Sequence, residues 1–208
     1  MIWNFTCFNK IKKRKGITML DLAKVTYQES PNRSDRRDEI RGIVFHHTGP
    51  GNFNGIVSWL CNPEAKVSAH YVLGTKAELT QLVNTKRNAW HVGKSSAFVD
   101  GKIIEDLNHC TIGIEICNPG VLQKGTDGKF YYEVGRLVKE WKGQTPIEGF
   151  ITYPNGNKLT GHYVPYPKEQ LDKLVELCKA LVKKYPQIGK EDIFTHYAVA
   201  VPSGRKND

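Results

Sequence analysis

Apolar residues along this chain recur at two spacings, and the spacing names the element. Residues 42–46, GIVFH, are a β-branched run bounded by Gly42 and by T-G-P-G, which predicts a buried strand. After the turn at residues 48–51, Phe53, Ile56, Val57 and Leu60 stand three, four and seven positions apart. That predicts a short helix, ended by Asn62-Pro63. Residues 71–74 and 79–83 flank T-K-A-E and predict a β-hairpin. Residues 111–117, TIGIEIC, alternate and predict another strand, closed by the turn Asn118-Pro119-Gly120. The clearest helical stripe is Leu171, Leu174, Val175, Cys178, Leu181 and Val182 within residues 168–185, with Pro165 and Pro167 at its entrance. Residues 192–196, DIFTH, predict a last short strand or loop.

Strands alternating with helices predict an α/β domain. It is expected to fill residues 18–208. Residues 1–17, aromatic then basic then Gly16, read as an N-terminal appendage, and residues 30–40, SPNRSDRRDEI, as a surface loop. Residues 121–165 are rich in Gly, Lys and Tyr and form a variable segment. Within it Phe130–Val134 and residues 149–153 are candidate strands, and Pro154-Asn155-Gly156-Asn157 is a turn.

Composition narrows the class. The 208 residues are 39% hydrophobic and 25% charged, which excludes a disordered chain and fits one globular domain with elaborations. No stretch approaches the roughly 18 to 20 apolar residues that span a bilayer. The net charge of +9 predicts a polyanionic partner, whether nucleic acid, anionic lipid or an anionic cell wall, with solubility alone as the plainer account. No recognised DNA-binding motif appears, and Trp and Tyr do not interleave with the Lys/Arg run, so nucleic acid is not the expected partner. The five cysteines are odd in number and form no C-x-x-C, so free thiols and synthesis in a reducing compartment are expected. Residues 1–8 are apolar and the basic residues follow them, the reverse of a secretory signal. Synthesis in the cytoplasm without a signal peptide is therefore expected, with any action outside depending on a separate release.

Of the seven histidines, His46, His70 and His196 fall at strand or strand-end positions. A lone His there is commonly a satisfied core residue. His46 and His196 each end a short apolar run, however, and Asp208 follows His196 by twelve residues. Two imidazoles and one carboxylate suit zinc with a fourth position open for water. Glu115 interrupts the strand Ile112-Gly113-Ile114-Glu115-Ile116. If the three isoleucines face one side, Gly113, Glu115 and Cys117 face the other. Glu115 is then either a carboxylate that needs a partner or a cleft or the solvent-facing residue of a one-sided sheet.

IVFHHTG, SAHYVL, AWHVG, LNHCTIGIEIC and the closing H…GRKND, in that order over roughly residues 30–208, together resemble the zinc-dependent N-acetylmuramoyl-L-alanine amidases. This is the amidase_2 family, which also holds peptidoglycan-recognition proteins and phage lysins. The resemblance implies a central mixed β-sheet flanked by helices and cleavage of the amide joining N-acetylmuramic acid to L-alanine in peptidoglycan. It implies His46, His196 and Asp208 as zinc ligands, Glu115 as the residue that activates water, and Lys206 as the cation that steadies the oxyanion. Trp90, His91, Asn108 and His70 are implied substrate-groove residues. His47 matches no usual ligand.

The closing motif, HYAVAVPSGRKND, is two residues longer than the family usually has, and the chain stops at Asp208 where that motif runs on, so the sequence is expected to be a fragment. Ala69 stands where some relatives carry a catalytic Tyr, which implies either a Glu/Lys subtype or a weakened one. The expected protein is a monomeric phage or prophage endolysin acting on peptidoglycan. The alternative is a non-catalytic peptidoglycan-binding module of the same fold.

Overall fold

The computed structural model describes residues 20–99, 101–134 and 137–208. The expected appendage over residues 1–17, and Cys7 within it, lie outside the described residues. In the first half of the chain the strands are β1 (Thr26–Tyr27), β2 (Arg33–Asp35), β3 (Gly42–His47), β4 (Tyr71–Leu73), β5 (Leu79–Gln81), β6 (Arg87–Ala89), β7 (Ser96–Val99) and β8 (Lys102–Glu105). The second half adds β9 (Thr111–Ile116), β10 (Val121–Lys124), β11 (Phe130–Val134), β12 (Leu137–Glu140), β13 (Ile147–Thr152), β14 (Lys158–Tyr163) and β15 (Ile193–Thr195). The α-helices are α1 (Phe53–Leu60), α2 (Lys168–Lys184) and the single turn α3 (His196–Val199).

Six strands form a mixed central sheet in the order β1-β5-β4-β9-β3-β15. Only β4 and β5 pair antiparallel, as the expected hairpin; every other neighbour is parallel. The alternation of β9 sorts its side chains as the pattern predicts. Ile112, Ile114 and Ile116 join Ile43, Tyr71 and Leu73 in a core covered by Leu174, Leu177, Cys178 and Leu181 of α2. Of the stripe read from residues 168–185, Leu174, Cys178, Leu181 and Val182 pack on this core, Leu171 and Val175 are only partly buried, and Gln170, Leu177 and Ala180, outside the stripe, are buried as well. Lys183 and Lys184 sit in the last turn of α2, where a positive charge suits the carbonyl end of a helix.

On the other face, Val57 and Leu60 of α1 pack against Ala69, Val72, Leu82 and Cys117. The Asn52 side chain caps α1 by accepting the Gly55 N–H at 2.8 Å. A third cluster, Val44, Val92, Leu107, Cys110 and Val199, fills the rest of that face. Cys61, Cys110, Cys117 and Cys178 are free. No helix among the described residues is long and apolar enough to cross a membrane.

The variable segment differs from its expectation. It holds not two strands but five, an antiparallel sheet ordered β12-β11-β10-β14-β13. The predicted turn at residues 154–157 is present, with the Tyr153 N–H donating to the Asn157 carbonyl at 2.9 Å and Gly156 at φ +85°. The Arg33–Asp35 strand, within the expected surface loop, pairs with β6. Two-residue and three-residue strands such as β1, β2 and β6 are too short for a period to register.

Candidate metal centre and its cavity

An open cavity of about 600 Å³ lies on the sheet face away from α2. Its floor is set by register. β3 and β9 run parallel with His46 directly opposite Glu115, so both side chains project from the same face. β15 lies on the other side of β3, pairing Thr195 with Phe45, and His196 is the next residue. Asp208 arrives by a return loop. Gly204, at φ +88°, makes the turn that a side chain would strain. The Arg205 guanidinium anchors the loop by donating to the carbonyls of Lys94 at 2.6 Å, Val201 at 3.0 Å and Val92 at 3.3 Å. The Tyr197 N–H donates to the Asp208 carbonyl at 2.5 Å. The lengthened closing motif is therefore accommodated as a loop that still brings Asp208 beside His196.

Three donor atoms converge there. His46 Nδ1 and His196 Nδ1 are 3.0 Å apart, and Asp208 Oδ2 lies 2.9 Å from His196 Nδ1 and 3.2 Å from His46 Nδ1. His196 Nε2 donates to the Val92 carbonyl at 3.0 Å, which leaves its Nδ1 with a lone pair. Bonds of about 2.0–2.1 Å at tetrahedral angles separate ligand atoms by about 3.3 Å, so the observed spacing fits a small divalent cation held by N, N and O. The protonation states agree. Burial pushes the His46 imidazole down to about 4, against the opposing pull of Asp208. Burial works to raise the Asp208 carboxyl, but the adjoining His196 and His46 imidazoles outweigh it and hold the group well below the usual carboxylate range. A neutral His46 imidazole beside an ionised Asp208 carboxylate is what a metal binds.

Glu115 stands next to this cluster. Burial raises its carboxyl to about 8, Asp208 pushes the same way, and Lys206 opposes both. Its Oε2 is cut off from solvent and has no hydrogen-bond partner. Of the two readings open from sequence, a carboxylate in a cleft is the one found. His46, His196, Asp208, Glu115, Lys206, Trp90 and His91 all line the cavity.

Two expected groove residues do not line it. His70 is fully buried beneath the sheet face, with no surface to offer a substrate. Its Nδ1 accepts the Gly113 N–H at 3.0 Å, and its Nε2 lies 3.1 Å from both the Arg87 carbonyl and the Arg36 guanidinium. Burial, then Arg36, lowers its pKa to about 3. It is a satisfied core histidine. Asn108 is likewise committed to backbone: its Oδ1 accepts the N–H groups of His91 at 3.0 Å and Val92 at 3.1 Å. It shapes the loop that carries His91. His47, on the cavity wall, accepts the Gly49 N–H at Nδ1, while its Nε2 has no partner.

Other cavity residues escaped sequence reading. Trp59 and Val67 form an apolar ledge with Trp90, and Tyr153 and Leu159 enter from the antiparallel sheet. Ile151 and Leu159 are cross-strand partners, so Tyr153, Ile151 and Leu159 share one face of that sheet. Nothing in the chain's pattern marks them, because apolar residues in a variable segment read as scaffold.

With this geometry in place, the match to known proteins decides the family: the sequence model described as N-acetylmuramoyl-L-alanine amidase covers residues 36–208. This chain belongs to the Amidase_2 family. A curated relative of this Amidase_2 chain is N-acetylmuramoyl-L-alanine amidase A of Achromobacter lyticus, 33% identical over 87 residues. That match spans 41% of this chain and 42% of the relative's length. Among solved structures, a selenomethionine derivative of AmpD superimposes with a TM-score of 0.55 at 24% identity, covering 92% of both chains. AmiD from E. coli, solved with the substrate anhydro-N-acetylmuramic acid-L-Ala-D-gamma-Glu-L-Lys, gives 0.55 at 24% identity, covering 94% of this chain and 59% of AmiD. At these identities the structural likeness establishes the shared fold, a mixed sheet with flanking helices.

Proposed function

We propose that this Amidase_2 chain is a zinc-dependent N-acetylmuramoyl-L-alanine amidase. It would hydrolyse the amide between the lactyl group of N-acetylmuramic acid and the L-alanine of the peptidoglycan stem peptide. The observation that carries the reading is the convergence of His46, His196 and Asp208 beside Glu115 on the floor of an open cavity. The family description and the muramyl-peptide complex of AmiD support the substrate class.

An amide is resonance-stabilised and neutral water is a poor nucleophile. What zinc supplies in such a site is Lewis acidity, polarising a carbonyl and lowering the pKa of water towards ~7. Glu115 takes the proton of the attacking water on a carboxylate oxygen and passes it to the leaving nitrogen. A carboxyl raised to about 8 is a stronger base than a free one, and Lys206 keeps its anionic form within reach. The Lys206 ammonium offsets the negative charge that grows on the carbonyl oxygen. Trp59 and Trp90, half exposed at the cavity, give the substrate an apolar ledge.

The reading extends to a phage-lysin type of enzyme that reaches the wall after release from the cell that made it. Four free thiols among the described residues fit synthesis in a reducing compartment, and the charge of +9 fits an anionic wall.

The test is digestion of purified peptidoglycan, with mass spectrometry of the products and metal analysis of the enzyme. New L-alanine amino termini, lost on chelation and restored by zinc, are expected. Binding to the wall with no cleavage at any zinc level would replace the enzyme with the binding module. Clearing of intact cells by added protein tests the lysin role separately.

A further inference from the structure

We propose that His91 is a positioning residue that fixes the tautomer of His46, so that the metal-facing Nδ1 of His46 bears a lone pair. The inference rests on the metal site proposed above, but its geometry belongs to the chain alone. A neutral imidazole donates through one nitrogen and accepts through the other, so a chain of them has a direction, and something at the end must set it.

Here the end is the backbone. The Thr111 hydroxyl donates to the Leu107 carbonyl at 2.5 Å. Its proton is thereby spent, and towards His91 Nε2, 3.2 Å away, Thr111 Oγ1 can only accept. His91 therefore carries its proton on Nε2 and presents a lone pair at Nδ1. That lone pair faces His46 Nε2 at 3.0 Å, so His46 donates there. The remaining nitrogen of His46, Nδ1, is left to accept, and it is the atom that faces His196 and Asp208. His196 reaches the same state by a single step, through the Val92 carbonyl. Metal-bound histidines commonly owe their orientation to such an outer partner. His46 differs in that its partner is another imidazole, two hydrogen bonds short of the carbonyl that sets the direction.

The surroundings hold His91 to this task. Its ring meets the His46 ring edge-on at 5.1 Å and 89°. A Cβ on Gly113 would collide with the His91 ring, so the glycine next to Ile114 is the space in which the imidazole lies. The Asn108 side chain accepts the His91 backbone N–H at 3.0 Å, and Thr111 is buried. An Ala or Ser at position 113 has no room, which gives the G in G-I-E a reason that strand propensity does not.

The experiment compares Thr111→Val, Thr111→Ser and His91→Ala with wild type. The readouts are zinc affinity by competition with a chromophoric chelator and imidazole 15N chemical shifts of the metal-free protein. In metal-free wild type, His91 and His46 should both appear as Nε2–H tautomers. Thr111→Val keeps shape but frees the direction of the chain, so His91 and His46 should become tautomer mixtures. Zinc affinity should fall about tenfold for Thr111→Val, and by roughly 10- to 100-fold for His91→Ala. Thr111→Ser, which keeps the hydroxyl, should stay near wild type in both readouts. A His46 Nδ1–H tautomer in the metal-free wild type would overturn the proposal. So would Thr111→Val matching wild type in both shifts and affinity while His46→Ala loses zinc, a result that leaves the enzyme reading intact. If wild type binds no zinc, the enzyme reading fails and the 15N shifts still decide the tautomer.

Discussion

The central sheet and the antiparallel sheet of residues 121–163 meet at one cavity and serve it differently. In β3, Gly42, Ile43, Val44 and His46 are buried, and in β9 only Glu115 is partly open. Parallel strands covered on both faces leave no solvent side, so a functional side chain there occupies a core position and is desolvated by its neighbours. That is why His46 and Glu115 are shifted in opposite directions, each towards its neutral form. The antiparallel sheet carries its apolar residues openly, with Val138 64% exposed and Ile147 46% exposed. It adds Tyr153 and Leu159 to the cavity and no titrating group to its floor. The first sheet is expected to carry chemistry and stability together. The second is expected to shape the cavity at small structural cost.

The largest contrast is between His196→Ala and Tyr153→Ala. Loss of one of three donor atoms should remove zinc and abolish wall hydrolysis, while the melting curve stays cooperative because α2 and the isoleucine face supply the core. Equal zinc content in His196→Ala and wild type, measured by mass spectrometry of the metal, would undo the site. Next in size is Glu115→Gln. It keeps shape and removes the proposed base, so turnover should fall by roughly 10² to 10⁴ with zinc retained. Near-wild-type turnover would make Glu115 a structural carboxylate.

A third difference is in acid. The folded pKa of His70 is about 3, whereas an unfolded histidine titrates near 6.5. Below pH 6.5 the unfolded chain takes up a proton that the folded chain refuses, so this stability is full above about 6.5 and drains as pH falls towards 3. The loss should reach on the order of a few kcal/mol, read from urea midpoints at pH 7, 5 and 4. His70→Gln should lower stability at pH 7 and flatten the slope; an unchanged slope would assign the acid sensitivity elsewhere.

The smallest effect belongs to the antiparallel sheet. Tyr153→Ala should raise KM about fivefold, near 1 kcal/mol, with kcat and melting temperature little changed. A collapse of kcat instead would mean that Tyr153, whose ring lies 6.0 Å from that of Tyr197, holds the loop that carries Asp208 in place.

Much of the central sheet was legible before the structure. The alternation of TIGIEIC sorted three isoleucines from Glu115, and the helical stripe named Leu174, Cys178, Leu181 and Val182 of the α2 face that packs on them but missed Gln170 and Leu177. The residues at the centre of the cavity, His46, His196, Asp208, Glu115 and Lys206, were legible through five motifs in order rather than through any spacing. The antiparallel sheet was read only in part. Its exposed strands do not alternate cleanly, and pairing between neighbours, which no local pattern encodes, is what orders them.

By itself the sequence determined periods, faces and residue chemistry, because each of these depends on neighbours a few positions away. Only the tertiary structure decided what each histidine does. His46, His70 and His91 are the same side chain on neighbouring pieces of one sheet face, and the motifs assigned two of them alike to the groove. Burial and hydrogen bonds separate them: His70 is locked between Gly113 and Arg87, His91 lies over Gly113 against Thr111, and His46 faces Asp208 from 162 residues away. An imidazole takes its role from what meets its two nitrogens, and here those partners come from strands and loops that only parallel pairing brings together.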